Sequence, residues 1–380
     1  MKKVLIVATV VKTHINAFHL PYIKMFKEHG YQTYVAAKND YADEKPVIPN
    51  CDCYYMIPFA RNPFSPKNIK AYAQLKKLID DVHFDIVQCN TPVGGVLGRL
   101  AARKARKKGT KVVYMAHGFH FFKGGSKLAW LVFYPIEKAL SRITDVLITI
   151  NREDYALAEK KFHAKQTAFI HGVGVDLEKI NRCQPDAAQL RASINVPEKA
   201  PLLISVGELR KLKNHENIMH AMTKLQNSAV HYVIAGCGSY EETLKQTIQK
   251  LGLQDRVHLL GFRKDVYDLL KVSDIFCFPS TREGMPVALT EAMEAGLPVV
   301  ASSVRGNRDL IVPDKGGYLY KAHDVNGFAE GIQKLLADAD LRRQMGQFNK
   351  NHVKEYDLEI VKEQLSRIYF SDEAEDGKGK

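Results

Sequence analysis

Cysteine is scarce in this chain. Six stand at positions 51, 53, 89, 183, 237 and 277 of 380 residues. None forms a C-x-x-C pair, and Cys51-Asp-Cys53 has no second pair at zinc spacing, which excludes a disulfide scaffold and a zinc ribbon. Scattered reduced thiols of a cytoplasmic protein are the expectation. Long apolar runs are also missing, since no stretch nears the roughly 18 residues that span a bilayer. The apolar start, Val4 to Val11, runs into Lys12 and His14 with no small-x-small cleavage site, so it reads as a buried first strand rather than a signal peptide. Any membrane contact is expected to be peripheral, on the inner face of the cell membrane. With 46% hydrophobic and 26% charged residues, the chain is neither disordered nor collagen-like, and its length suggests about two domains.

Acidic charge is what the first half lacks. Residues 1–180 hold 28 Lys and Arg against 15 Asp and Glu, the whole excess of +13, whereas residues 181–380 hold 27 of each. A basic half implies an anionic partner: a phosphate-bearing substrate, an anionic membrane surface or nucleic acid. The basic run 98–109 includes Arg103, Arg106, Lys107 and Lys108. No aromatics interleave with it and no nucleic-acid motif accompanies it, so nucleic acid is not the expected partner. Docking on anionic lipid headgroups is.

Short apolar runs alternate with helical patterns. Strands are expected over 4–10, 33–37, 85–90, 111–118 and 146–151, with helices over 17–30, 66–82, 93–109 and 127–143. The alternation restarts with strands over 201–209, 230–236, 256–261, 274–280 and 297–302. This order implies two α/β domains, each a doubly wound parallel sheet of Rossmann type. Prolines at 183–201 place the linker there. The expected division is 1–185, 186–356, a helix over 357–370 crossing back to the first domain, and a disordered tail, 371–380. Ligands of such sheets bind at the strands' carboxyl ends, and a cleft faced by both sets is the default site.

The most informative segment is SDIFCFPSTREGMPVALTEAMEAGLPVVAS, 273–302. A strand ends at Ser280, and a loop carries Glu283, Gly284, Met285 and Pro286 into a helix. Proline suits a first helical turn, and the helix's free amides form an anion site. Glu291 follows Glu283 by about two turns, so two carboxylates could touch different hydroxyls of one ligand whose phosphates rest at the helix end. In SVGELRKLKNHENI (205–218), Arg210, Lys211 and Lys213 sit at a strand's carboxyl end, where a lysine can neutralise a diphosphate. In YMAHGFHFFKGGSK (114–127), His117 ends a strand, His120 follows, and Lys123 begins a glycine-rich lip. Phe262 and Arg263 follow another strand and could seat a nucleobase. AGCGS lacks the third glycine of a dinucleotide fingerprint and reads as a tight turn. Asp338-Ala339-Asp340 ends a helix away from these segments, and no catalytic metal is expected.

These residues resemble a known family. EGMPVALTE matches the E-x7-E signature of retaining family-4 glycosyltransferases of the GT-B fold. VGEL with Lys-Asn-His, AGCGS, GFRKDV, SDIFCFPS and AGLPVV follow in the expected order, and the likeness covers nearly the whole chain. The N-terminal stretches look like the EpsD-like bacterial exopolysaccharide and capsule subgroup. The resemblance implies a hexosyl- or N-acetylhexosaminyltransferase that needs no metal or cofactor, the nucleotide sugar being a co-substrate with uridine the expected base. Glu283 would contact donor-sugar hydroxyls, Glu291 the ribose, Lys213 the diphosphate and His117 the transferred sugar; Phe262 and Arg263 would lie near the base. His14, His120 and Lys123 would face the acceptor, a polyprenyl-diphosphate-linked saccharide. Where many members carry arginine after Val-Gly, this chain has Glu208, and Arg210 is the substitute considered. The other readings are a GT-B-fold nucleotide-sugar epimerase or hydrolase, which needs no acceptor, and a basic nucleic-acid-binding protein.

Overall fold

The computed structural model describes residues 1–41 and 44–376. The chain forms two compact units: Met1–Val173 with the chain from Val361 onward, and Gly174–Ile360.

The first unit runs β1 (Lys3–Val10), a π-helix (Val11–His19), α1 (Leu20–Glu28), β2 (Gln32–Lys38), β3 (Cys53–Met56), α2 (Lys67–Val82), β4 (Ile86–Asn90), α3 (Pro92–Arg106), β5 (Lys111–Ala116), α4 (Lys127–Ser141), β6 (Val146–Thr149), α5 (Arg152–Lys161) and β7 (Gln166–Phe169). Its seven strands are all parallel, in the order β3-β2-β1-β4-β5-β6-β7. Val4 to Val10 are buried without alternation, as a parallel strand covered by helices on both faces requires.

The second unit runs α6 (Leu177–Arg182), α7 (Ala187–Ser193), β8 (Leu202–Val206), α8 (Glu216–Met222), β9 (His231–Ala235), α9 (Glu241–Lys250), β10 (Val257–Gly261), α10 (Val266–Lys271), β11 (Ile275–Phe278), α11 (Val287–Glu294), β12 (Val299–Ser302), α12 (Arg305–Leu310), β13 (Gly317–Tyr320), α13 (Val325–Ala337) and α14 (Ala339–His352). Its six parallel strands are ordered β10-β9-β8-β11-β12-β13. Side chains alternate between two cores: Leu202, Ile204 and Val233 enter one, and Leu203, Tyr232 and Ile234 the other. In both sheets the strand order reverses beside the first strand of the unit, between β1 and β4 and between β8 and β11. Such a switch point opens a crevice at the carboxyl ends.

The segment expected to be a linker is structured. Ile194, Val196 and Ala200 are buried in a core of the second unit, and Arg191 of α7 donates to the carbonyls of Val272 and Ala200 and pairs with Asp274. The division therefore falls at Val173, ahead of the 185/186 boundary. At the other end, α15 (Leu358–Asp376) brings the chain back to the first unit. There Lys111 Nζ donates to the carbonyl of Ile368 at 3.2 Å, and Phe370 stacks on His29 at 4.0 Å. The helix continues to Asp376, into the segment expected to be a disordered tail; residues 377–380 lie outside the described residues.

Candidate functional site

Two loops of the second unit meet beside its switch point. β8 leaves the sheet through Gly207 and Glu208 into a 3-10 turn, Lys211–Lys213, that ends at Asn214 in the left-handed region, φ 56°. The Asn214 side chain donates to the carbonyls of Pro279 at 3.1 Å and Ala322 at 2.6 Å. The Thr281 amide donates to the Leu212 carbonyl at 2.8 Å. These bonds tie the loop after β8 to the loop after β11.

The consequence is an ion pair between residues 70 apart in sequence: Lys213 Nζ donates to Glu283 Oε1 at 2.7 Å, with both side chains largely buried. The same ammonium lies 5.0 Å from the centre of the Phe278 ring. More cations gather here. Arg305 Nε donates to the Glu283 carbonyl at 3.0 Å. Arg282 has its ordinary pKa lowered by burial and by Arg305, with Arg210 adding to the repulsion. One carboxylate among several cations leaves a surplus of positive potential that favours an anionic ligand.

α11 adds to it. Its N-terminus follows Pro286, and no described side chain caps it, so its first amides remain available to an anion. Pro286 is the residue before the helix rather than part of its first turn, with ψ 113°. Within α11, Glu291 accepts a hydrogen bond from Tyr267, and burial pushes its carboxyl up to about 7. A groove of about 950 Å³ adjoins these loops, lined by Arg210, Lys211, Asn214, Thr281 and His323.

Glycines let the loops approach. A Cβ on Gly236 would stand 1.9 Å from the Gly207 carbonyl oxygen, and one on Gly238 2.2 Å from that of Leu209, so AGCGS is the tight turn its sequence indicates. Gly306 at the start of α12 sits against the catalytic-loop candidate itself: its Cβ would meet the Gly284 oxygen at 2.3 Å and the Gly284 carbon at 2.8 Å. Gly306→Ala should therefore cost about 1–3 kcal/mol of stability through overpacking against Gly284, measured by chemical denaturation.

In the first unit, His117 follows β5 and precedes Gly118, whose φ is 126°. His14 lies on the π-helix after β1. Their rings meet edge to face, with centroids 4.8 Å apart. His19 makes a third ring beside them, 5.5 Å from His117. Burial pulls His117 down to about 4; burial first, and then repulsion by neighbouring imidazoles, lowers His14 and His19, so all three stand neutral.

Residues 186–352 match the family described as glycosyl transferases group 1, and residues 3–151 match glycosyl transferase 4-like. The chain is 40% identical over 376 residues to EpsD of Bacillus subtilis (strain 168), a relative with a glycosyltransferase name, covering 97% of this chain and 96% of that one. The chain belongs to the GT-B glycosyltransferases of the group 1 and family 4-like type. It is also 30% identical over 305 residues to an Escherichia coli UDP-Gal:α-D-GlcNAc-diphosphoundecaprenol α-1,3-galactosyltransferase, covering 79% of this chain and 77% of the relative. In fold it is similar to Alr3699/HepE of Anabaena, a structure in complex with UDP and glucose, at TM-score 0.80 and 21% identity over 98% of this chain and all of that one.

Within this glycosyltransferase, the residues singled out from sequence separate into groups. Lys213, Glu283, Gly284, Pro286 and Glu291 belong to one loop-and-helix assembly, with Met285 half-buried against the second unit's core. Arg210 is exposed and faces Glu208 at 3.6 Å, so the substitute for the family arginine is engaged by the residue that replaced it. Arg263 makes a two-pronged pair with Asp265, at 2.8 and 2.5 Å, while Phe262 is 76% exposed. His120 packs on Phe133 of α4 at 5.1 Å instead of joining His117. The Lys123 amide donates to Glu153 at 2.7 Å and its side chain is exposed. Arg106 is drawn out of the basic patch: it pairs with Asp145 at 3.0 Å and is largely buried, because Asp145 also caps the start of β5 through the Val112 amide. Arg103, Lys107 and Lys108 remain exposed, together with Lys104. Arg282, Arg305 and Gly306 were not singled out from sequence; Arg282 adjoins Glu283 in the chain, and only approach in three dimensions marks Arg305 and Gly306.

Proposed function

We propose that this glycosyltransferase moves a hexosyl or N-acetylhexosaminyl group from a uridine diphosphate sugar to a polyprenyl-diphosphate-linked saccharide, with retention at the anomeric carbon, in exopolysaccharide or capsule synthesis. The observation that carries the reading is the Lys213–Glu283 pair among cations, next to an uncapped helix N-terminus. The undecaprenol-linked acceptor in the name of the E. coli relative and the UDP in the HepE complex support the choice of substrates.

The donor is assigned to the second unit. The diphosphate rests on the amides of α11 and draws Lys213 to itself, while the sugar's hydroxyls take over Glu283. The ion pair thus holds both groups in place until the donor divides them. The bond from the anomeric carbon to phosphate oxygen breaks, and the acceptor oxygen bonds to the same face of that carbon. The acceptor's proton passes to the departing phosphate oxygen, and the nucleoside diphosphate leaves with its negative charge offset by Lys213 and the helix amides. Fixed cations do the work a metal does elsewhere, so none is needed at the diphosphate. Glu291 accepts from the ribose hydroxyls. The neutral His117 of the first unit serves the transferred sugar, with His14 on the acceptor side.

The acceptor's anionic diphosphate and membrane surface suit the basic first unit. Among the described residues no helix is long and apolar enough to cross a membrane. Contact is assigned to the exposed Arg103, Lys104, Lys107 and Lys108 of the α3 end, with Leu128 and Leu131, 67% and 74% exposed on the neighbouring α4, entering the headgroup region. Neutralising these four cations should abolish low-salt binding to anionic vesicles; unchanged binding refutes the patch.

The donor assignment is tested by thermal shift with a panel of nucleotides and nucleotide sugars. Ligands of the folded state raise its melting temperature. A uridine diphosphate sugar should stabilise the wild type and do so less in Glu283→Ala. Stabilisation by guanosine or adenosine diphosphate sugars alone would overturn the base.

A further inference from the structure

His14, His19 and His117 form a cluster larger than the proposed transfer chemistry calls for. It depends on an unusual element. On an α-helix, residues five apart point about 140° away from each other, so the spacing of His14 and His19 would separate them. The nine-residue π-helix Val11–His19 bonds i to i+5 and stacks residues five apart. Their Nε2 atoms are 3.1 Å apart. His117 arrives from the end of β5, its ring centroid 4.8 Å from that of His14 and 5.5 Å from that of His19. One ring nitrogen from each histidine lies within 4.8 Å of the other two.

The hydrogen bonding of this cluster is incomplete. A neutral imidazole has one donor and one acceptor nitrogen. The His14–His19 contact uses one nitrogen from each ring. His19 Nδ1 and His117 Nε2 are buried with no partner among the described residues, and His19 is fully buried. Polar atoms sealed from water without a partner are costly, and the orphaned His117 Nε2 beside the His14–His19 nitrogen pair indicates a missing ligand there. That ligand must accept electron pairs from several imidazoles together. Imidazole nitrogens bind zinc at about 2.0–2.1 Å in tetrahedral sites, which places them about 3.3 Å apart. The His14–His19 separation is already near this value, and rotation of the His117 ring supplies the rest. His14 and His117 are each half-buried, leaving a side for entry and a fourth coordination position.

We infer that His14, His19 and His117 are a three-imidazole site for a divalent transition metal of the zinc class, and that filling it withdraws His117 from the sugar and slows transfer. The second part rests on the role proposed for His117; the first does not. This ion is distinct from the diphosphate-neutralising group, which lies in the second unit and consists of Lys213 and helix amides.

The test uses the full-length protein stripped of metal and titrated with Co²⁺, whose visible absorption reports nitrogen ligation, followed by displacement with Zn²⁺. Wild type should bind one ion per chain. His14→Gln and His19→Gln should each weaken binding by at least about 100-fold, more than the loss of an outer-shell partner costs. No stoichiometric binding in wild type, or undiminished binding in both variants, overturns the site. His19 is buried, so if its variant melts early, the half-exposed His14 variant decides. Transfer is then assayed with and without Zn²⁺, each protein against its own metal-free rate. Inhibition of wild type but not of His14→Gln supports the competition. Metal bound at the histidines with transfer unchanged overturns the competition and the role given to His117, while the metal site stands.

Discussion

Replacing Lys213 by methionine should lower the turnover of sugar transfer by about 10²- to 10³-fold, the range for removing one preorganised group that stabilises transition-state charge. Methionine keeps much of the aliphatic stem against Phe278 while deleting the ammonium. The charge it leaves uncompensated grows as the phosphate departs, so turnover should fall more than apparent donor affinity. Lys213→Arg should recover only part of the loss, because the 3-10 turn Lys211–Lys213 fixes the stem and a planar guanidinium cannot sit as the same point charge. The partner experiment is Glu283→Gln. In the free protein, Lys213 and Glu283 satisfy each other at 2.7 Å; in the donor complex they serve different ligand groups. The double variant should therefore be less destabilised than the sum of the singles, since each single strands one buried charge and the double strands none. In transfer assays it should show no such compensation. Urea denaturation and steady-state kinetics on the same four proteins separate the two behaviours. Wild-type turnover in Lys213→Met would remove the diphosphate from this lysine.

The strands the sequence made visible were all the central ones and a single edge strand, β10. Val4–Val10 and Ile275–Phe278 are buried on both faces and read as continuous apolar runs. β3, β7 and β13 were not legible, and each is a sheet edge. An edge strand needs only one covered side: β3 is Cys-Tyr-Tyr-Met with two of its four residues exposed, so no apolar run announces it. The expected linker failed for a different reason. Its prolines and polar residues looked like a connection, and what holds the segment, besides buried Ile194 and Val196, is Arg191, reaching the Val272 carbonyl 81 positions away and those of Glu198 and Ala200 nearby. A side chain serving distant backbone leaves no local pattern.

Half of the proposed donor site was legible because it lies in one stretch: Glu283 to Glu291 carry their own loop and helix signals. The rest comes from packing. Arg305 and Gly306 belong to the next βα unit, and only α12 folding back on the Glu283–Gly284 backbone gives them meaning. Sequence placed His120 and Lys123 with His117 by proximity along the chain, whereas the turn at Gly118 sends His120 to Phe133. His14 was found, but His19 was read as part of an ordinary helix over 17–30. A π-helix has no sequence signature comparable to the 3.6-residue period, so the face shared by His14 and His19 could not be derived.

Glu291→Gln should remove a pH dependence of stability that wild type shows between about pH 4.5 and 7. Glu291 is held near 7 by burial, above the ordinary value of 4.5, with the Tyr267 hydroxyl opposing the rise. Within that window the folded protein keeps a proton that the unfolded chain has released. Stability is then greatest below the unfolded value, declines as pH rises and stays low above 7, by on the order of 3 kcal/mol. Buried imidazoles act the other way. His215, lowered to about 3 by burial and Lys213, is neutral when folded and protonated when unfolded below about 6.5, so it adds stability as pH rises. The observed wild-type curve sums these opposed slopes, and only the difference between wild type and Glu291→Gln isolates the carboxyl. That difference, from urea denaturation at pH 5, 6, 7 and 8, should favour the variant increasingly up to pH 7 and then level. A constant difference across the series would show that Glu291 titrates as an ordinary carboxylate. The proton also reaches the ligand. A ribose diol donates better to a carboxylate than to a carboxylic acid, so wild-type affinity for a uridine diphosphate sugar, whose esterified diphosphate does not titrate near pH 6, should strengthen between pH 6 and 8. In Glu291→Gln, whose amide does not titrate, that affinity should be weaker and flat, and the stability gained above pH 7 measures what the fold gives up to keep a charge at this position.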